Sequence, residues 1–314
     1  MLHLLNGDAT RTVFEGAGVP GEVTVWRDIL VEGPVSLDDA AVPALAARQA
    51  FLAGRLGIDP GAYGRGAHEQ AAALEAARHH DEVVLWFEQD LFCAVNLWRL
   101  LDWFARHPPL PRLSLVYPAT ATVRGLGELA PTGLADLFAR RTPVTADMLD
   151  IGRRAWMAYV SPDPLHAVPL LDADEGALPF VRGAFRCHLG RFPSLASGLN
   201  EVETVTLTVL RRGPRGFGDL FGEVSAHPDV RPHGMGDVQL TAVVRGLAPL
   251  LGPGADTDLQ HARFELTECG RDVLAGDVDW LGVRPIDTWL GGVRLVGAAP
   301  AWRWDVARGR LIAM

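Results

Sequence analysis

Residues Glu82 to Phe87 form an almost wholly apolar run that passes straight into Glu88-Gln89-Asp90 and then into a helical pattern, Leu91 to Arg106. A strand with apolar residues on both faces must be covered on both faces, which points to a parallel sheet held between helices. The preceding segments repeat the unit. Leu2 to Leu5 runs into Asn6-Gly7-Asp8 and a helix-like stretch from Ala9. Glu22 to Trp26 follows the turn Gly18-Val19-Pro20-Gly21 and leads into Arg27-Asp28-Ile29-Leu30-Val31-Glu32-Gly33-Pro34. Two amphipathic helices, Leu37 to Leu56 and Ala67 to His79, are predicted on either side of the glycine- and proline-rich piece Gly57 to Gly66. Arg112 to Tyr117 is the fourth strand. Strands alternating with helices imply right-handed parallel crossovers, so residues 1–118 are expected to form a small doubly wound, Rossmann-like α/β sheet.

Beyond it the pattern changes. Residues 119–192 read as a helical connector or cap, with helices at Leu134 to Arg141, Thr145 to Tyr159 and Leu178 to Leu189. Residues 193–314 offer helices at Glu201 to Arg212, Phe217 to His227 and Asp237 to Leu247, then Gly252-Pro253-Gly254, an apolar strand and Leu266-Thr267-Glu268-Cys269-Gly270-Arg271-Asp272-Val273-Leu274. Three helices and a hairpin predict a winged-helix-like C-terminal domain. The last run is similar to the segment that follows the wing in winged-helix regulators. Short strands with aromatic packing are expected from Trp280 onward.

Composition removes several classes. None of the 29 basic side chains is a lysine, which excludes lysine Schiff-base chemistry and the lysine of a phosphate-binding P-loop. A net charge of −9 argues against a protein that coats nucleic acid or anionic lipid. Cys93, Cys187 and Cys269 are too widely spaced to read as a disulfide framework or a zinc knuckle. With no basic leader and no apolar run near the ~20 residues of a membrane span, the expected compartment is a reducing cytoplasm.

In an open parallel sheet, ligands bind beyond the carboxyl ends of the strands, where neighbouring helices diverge. Polar residues collect at those ends: Asn6, Gly7 and Asp8 after the first strand, Trp26, Arg27, Asp28 and Glu32 after the second, Glu88, Asp90 and Asn96 after the third. Converging carboxylates raise one another's pKa or gather a hard cation. Asp8, Glu88 and Asp90 are therefore candidate ligands for Mg²⁺ or Mn²⁺, and Arg27 a candidate clamp on a phosphate or carboxylate. Asp28, Glu32 and Glu88 are candidate acid–base groups, and Asn6, Gly7, Trp26 and Asn96 candidate ligand contacts. The plainer reading is that Asp8 and Asp90 only cap helices, that Glu32 pins a turn before Gly33-Pro34, and that Arg27 neutralises Asp28 or Glu88. Cys93 is either a thiolate stabilised in a first helical turn or a buried, inert thiol. His79-His80 reads as helix-end charge, and Trp86, Trp98 and Trp103 as core. No Gly-x-Gly-x-x-Gly follows the first strand, so the dinucleotide fingerprint is absent.

Asn6-Gly7-Asp8, Trp26 to Pro34 and Leu85 to Cys93 together resemble the family known as domain of unknown function 1835. The resemblance runs on into Trp156-Met157-Ala158-Tyr159 and Arg191-Phe192-Pro193, about the first 200 residues, and such chains often carry a separate C-terminal module. The family's usual glutamine after the cysteine is Ala94 here, whereas Asn96 keeps its place. The resemblance implies a shared polar rim and supplies no substrate.

Two functions follow. One is an enzyme, a metal-dependent hydrolase or phosphotransferase acting on a phosphorylated or nucleotide-like small molecule. The other is a ligand-sensing regulator whose winged helix binds DNA, or serves instead as a protein-interaction or homodimerisation module. Residues 191–314 hold 13 arginines against 15 carboxylates, and the candidate recognition helix, with Gln239 and Arg245, opens on Asp237, so charge disfavours DNA.

Overall fold

The computed structural model describes residues 1–37, 42–118, 125–172, 178–252, 259 and 261–314. It is an α/β protein built on a five-stranded sheet. Strands β1 (Leu2–Asn6), β2 (Glu22–Trp26), β3 (Glu82–Trp86) and β4 (Arg112–Val116) are parallel, and β5 (Thr142–Pro143) adds a short antiparallel edge. The order is β2-β1-β3-β4-β5, so the winding reverses between β1 and β3. The doubly wound expectation holds in this form. β5 was not foreseen: its two residues close the edge against Ser114 and Leu115 and carry no periodic signal.

Alternation along the strands separates two apolar layers. On one face Leu2, Leu4, Val83 and Leu85 pack beneath α3 (Pro60–Ala77) and α4 (Leu91–Arg106) in a core that continues through α6 (Ala146–Tyr159) and α7 (Val181–Gly190), while α2 (Val42–Leu56) lies against α3. On the other face Leu5, Val84 and Trp86 meet α1 (Asp8–Phe14) and α5 (Pro131–Ala139) through Phe14 and Leu134. The apolar run does begin with a carboxylate: Glu82 is buried at the foot of β3, where Ser114, Arg112 and Arg141 bind it.

Helix α3 starts seven residues before the expected Ala67. Asp59 caps it, accepting from Ala62 N at 2.7 Å, and Pro60 fills its first position, so the glycines at 61, 64 and 66 lie inside a helix. The helix expected from Leu37 begins at Val42, and residues 38–41 lie outside the described residues.

A second core joins α8 (Glu201–Arg211), α9 (Phe217–Ser225), α10 (Asp237–Gly246), α11 (Glu268–Ala275) and α12 (Trp280–Val283). Among the described residues, the strands of this part form small antiparallel pairs. These are β6 (Arg215–Gly216) with β7 (Arg263–Phe264), a bridge from Leu251 to Leu266, β8 (Ile286–Leu290) with β9 (Val293–Gly297), and β10 (Trp302–Asp305) with β11 (Arg310–Ala313). Pro253-Gly254, expected between the third helix and the apolar strand, fall outside the described residues. The β8–β9 hairpin returns to the first core, adding Leu290, Val293 and Leu295 to it. No helix among the described residues is long and apolar enough to cross a membrane.

Candidate functional site

Because β2, β1 and β3 are neighbours, the three polar loops open side by side at one end of the sheet. Asn6 pairs in register with Trp26, and Leu5 with Trp86. Gly7 takes φ +89°, a left-handed conformation that glycine adopts without strain, and donates its N–H to Trp26 O at 3.1 Å. That turn leaves Asn6 facing the first turn of α4.

There a chain of hydrogen bonds runs in one direction. Trp26 Nε1 donates to Asn96 Oδ1 at 3.3 Å. Asn96 Nδ2 donates to Asn6 Oδ1 at 3.1 Å, Asn6 Nδ2 to Cys93 Sγ at 3.0 Å, and the Cys93 thiol to Glu88 Oε2 at 3.3 Å. Each donor polarises the next, and the series ends on a carboxyl. Asn96 also binds Asp28 O at 3.1 Å, tying the β2 loop to the same centre. Trp26, expected to touch a ligand, here heads this chain and is almost fully buried.

Glu88 has two further neighbours. Leu126 N donates to Oε1 at 2.5 Å, and Gly125 lies close enough that a Cβ on it would meet Oε1 at 3.3 Å. Burial, and then the Asp90 charge, push Glu88 up to about 7. Burial also raises Asp90, and it raises the Cys93 thiol well above the usual range, beside the Asp90 and Glu88 charges. Cys93 is therefore a neutral donor, and the stabilised-thiolate reading falls. Asp90 is the N-cap of α4, accepting Cys93 N at 2.7 Å, as the capping alternative expected.

The candidate ligand set changes. Among the described residues Glu88, Asp90 and Cys93 bring donor atoms within 4.8 Å of one another, and Asp8 is not among them. Asp8 does not cap its helix either. Gly7 occupies that position, and the Asp8 carboxylate is held by Arg27 through Nη2 to Oδ1 at 2.6 Å and Nε to Oδ2 at 2.7 Å. Both side chains are more than half exposed. Arg27 thus neutralises Asp8, where Asp28 or Glu88 was expected.

Asp28 and Glu32 are engaged in holding the β2 loop. Asp28 Oδ1 accepts from Tyr63 Oη at 2.8 Å, Ile29 N at 2.8 Å and Arg48 Nη2 at 3.1 Å. Arg48 is buried and spends its other donors on Tyr63 Oη and on the carbonyls of Ile29, Glu32 and Pro34. Glu32 pairs with Arg191 at 3.2 Å, and Arg191 also binds Val31 O at 2.6 Å. These contacts support the turn-pinning alternative for Glu32.

The C-terminal part reaches this site. Gly234, at φ +65°, lies against the Asp90 carboxyl, and the preceding His233 is buried with Nε2 2.9 Å from Glu201 Oε2. Nothing in the sequence links these residues to Asp90. Arg48 was equally hidden, being one arginine among several on an amphipathic helix.

The sequence matches no family model, and no curated protein matches it.

Proposed function

We propose that this chain is an enzyme acting on a small phosphorylated or nucleotide-like molecule at the reversal point between β1 and β3, with Glu88 as the acid–base group. The observation that carries the reading is Glu88 itself: a carboxyl poised near neutrality at the end of a directed hydrogen-bond chain. General acid–base catalysis works best with a pKa near the working pH. Asn6, Asn96 and Cys93 orient Glu88, and burial, with the Asp90 charge second, raises it. Asp28 and Glu32 act as supports of the loop. A hydrolase or phosphotransferase uses such a group to take a proton from an attacking hydroxyl and return it to the leaving oxygen.

As an alternative to that acid–base role, a Mg²⁺ or Mn²⁺ ion would sit on the Glu88 and Asp90 carboxylates and hold them ionised, since hard cations take oxygen ligands and the protonated Cys93 is a poor one. Arg27 would have to exchange Asp8 for the substrate's anion. Asn6, Glu88, Asp90 and Cys93, which are among the residues that carry the resemblance to domain of unknown function 1835, lie together here, in support of a site.

The test is thermal unfolding against nucleotides, sugar phosphates and nicotinamide or flavin cofactors, each with Mg²⁺, Mn²⁺ or EDTA, followed by turnover of any ligand that stabilises. Glu88→Gln is expected to abolish turnover at neutral pH, and Asp90→Asn to remove any metal dependence. Unchanged turnover in Glu88→Gln overturns the reading.

The DNA-binding alternative makes α10 the reading helix of a winged-helix module. Helix α10 instead lies against α2, Gln239 Oε1 is occupied by Gly236 N at 2.8 Å, and Arg284 binds the carbonyl of Gly246 at 2.7 Å. This favours a module that binds within the chain, to its own α/β unit.

A further inference from the structure

Residues of α2, α8, α10, α12 and β8 line a cavity of about 280 Å³, which places it on the seam between the α/β unit and the C-terminal part. Its size is close to the lower end of the usual range for small-molecule sites. Glu88 and Asp90 take no part in its lining, so it is separate from the site described above.

The charged residues of the lining are Glu32, Arg55, Arg191, Glu203, Arg284 and Asp287. Two of the carboxylates are already paired, Glu32 with Arg191 at 3.2 Å and Asp287 with Arg294 at 3.2 Å. Glu203 Oε2 accepts the Asn200 N–H at 2.9 Å and so closes the cap of α8. What is left over is basic. Arg55 forms no hydrogen bond or ion pair among the described residues, and Arg284 uses only Nη1, on the carbonyls of Arg245 at 3.3 Å and Gly246 at 2.7 Å. The two guanidinium groups come to the same place, because a Cβ on Gly246 would lie 3.9 Å from Arg55 Nη1. Glu203 feels both: burial raises its carboxyl, and the Asn200 N–H and the charges of Arg55 and Arg284 act against that rise.

Two guanidinium groups on one wall repel each other. The carbonyl end of α10 and the Glu203 carboxyl offset part of that charge, and an oxyanion between the arginines would offset the rest and take the donors they leave unused. We propose that this cavity binds the phosphate or carboxylate group of a small molecule, clamped between Arg55 of the α/β unit and Arg284 of the C-terminal part. Helix-end charge accounts for an arginine in the last turn of α2, but not for a second one brought to its head from far along the chain. An anion bound there would tie the two parts together. A smaller cavity, about 60 Å³, shares Glu32, Arg55, Arg191 and Asn200 with the first and reaches Leu91 at the start of α4, so the seam leads toward the rim that carries Glu88. The assignment stands independently of the acid–base reading.

The experiment is thermal unfolding and calorimetric titration of the full chain with inorganic phosphate and with succinate, each against chloride at equal ionic strength. At least one of the two is expected to raise the unfolding temperature by about 2 °C or more at ~20 mM, where chloride does not. A response to phosphate alone marks a phosphate-bearing ligand, and a response to succinate alone a carboxylate. Arg55→Gln breaks no hydrogen bond among the described residues, and is expected to weaken the anion at least ~10-fold while leaving the unfolding temperature in chloride unchanged. Arg284→Gln is expected to weaken it likewise. Arg11→Gln makes the same change of charge at an exposed pair with Glu15, and is expected to bind as wild type does, as is Glu88→Gln. No response to either anion beyond chloride, an Arg55→Gln variant that binds normally, or equal weakening in Arg11→Gln overturns the proposal. A response lost in Arg27→Gln and kept in Arg55→Gln would put the anion at the rim beside Asp8, and overturns it as well.

Discussion

Gly234 rests on the carboxyl of Asp90 so closely that a Cβ on the glycine would stand 2.5 Å from Asp90 Cγ and Oδ1. One backbone turn of the C-terminal part thereby covers the N-cap of α4. Gly234→Ala adds that clash to a left-handed φ, and is expected to destabilise by about 2 kcal/mol or more. Urea unfolding measures it. A midpoint equal to wild type would mean that the turn does not press on Asp90.

Glu88 makes stability depend on pH. In the folded protein its carboxyl keeps its proton up to about 7, whereas the unfolded one releases it near 4.5. The folded state thus binds more protons between those values, and stability falls as pH rises through the window. Allowing for solvent at the rim, the loss is on the order of 2 kcal/mol by pH 8. Glu88→Gln is expected to remove most of that slope and to be more stable than wild type at pH 8. Denaturation midpoints from pH 4 to pH 8, on the scale of ~1 unit steps, decide it.

Arg48 holds the whole β2 loop from inside. Arg48→Met strips Asp28 and three carbonyls of their donor, and an uncompensated buried carboxylate costs about 3–5 kcal/mol. Arg48→Lys is expected to rescue little, because an ammonium cannot serve five acceptors in the guanidinium's fork. Both are read from the urea midpoint, with full rescue by lysine the contrary result.

The Asp8–Arg27 pair is exposed, and Asp8→Ala is expected to cost less than about 1 kcal/mol, a loss that shrinks further in salt. The Glu88 titration, followed by carboxyl NMR, should not move in that variant. A shift there would return Asp8 to the site.

Thiol reactivity separates the cysteines. Cys93 and Cys187 are buried, with burial holding Cys187 up at about 12 and Cys93 well above its usual range, while Cys269 is partly exposed. Ellman's reagent is expected to modify Cys269 first and the other two only on unfolding. Rapid modification of Cys93 in the native protein would contradict its role as a neutral donor.

Much of this architecture is written in local pattern. The apolar run of β3 and the periodicity of Leu91 to Arg106 located the central strand and its helix, and α4 has those bounds. Adjacency of β2, β1 and β3 then brings Asn6, Asp28, Glu88 and Asn96 to one rim. Asp59-Pro60 was a readable helix start, overridden by the glycines that follow it. What pattern does not carry is partner choice. Asp8 and Asp90 look alike in sequence, each between a strand and a helix, yet one bonds an exposed arginine and the other caps α4 beneath Gly234. Arg48 and His233 act through contacts between segments far apart in the chain, which no local spacing records.

The β8–β9 turn presses into the end of α6, where Gly292 N bonds Tyr159 O at 2.9 Å and a Cβ on Gly292 would meet Val160 O at 2.0 Å. Its strands bring Leu290, Val293 and Leu295 into the core begun by Leu2 and Leu4. The core of the α/β unit is thus completed by residues that lie nearly two hundred positions after its last parallel strand begins. An isolated 1–200 fragment would leave that flank of the core bare to solvent.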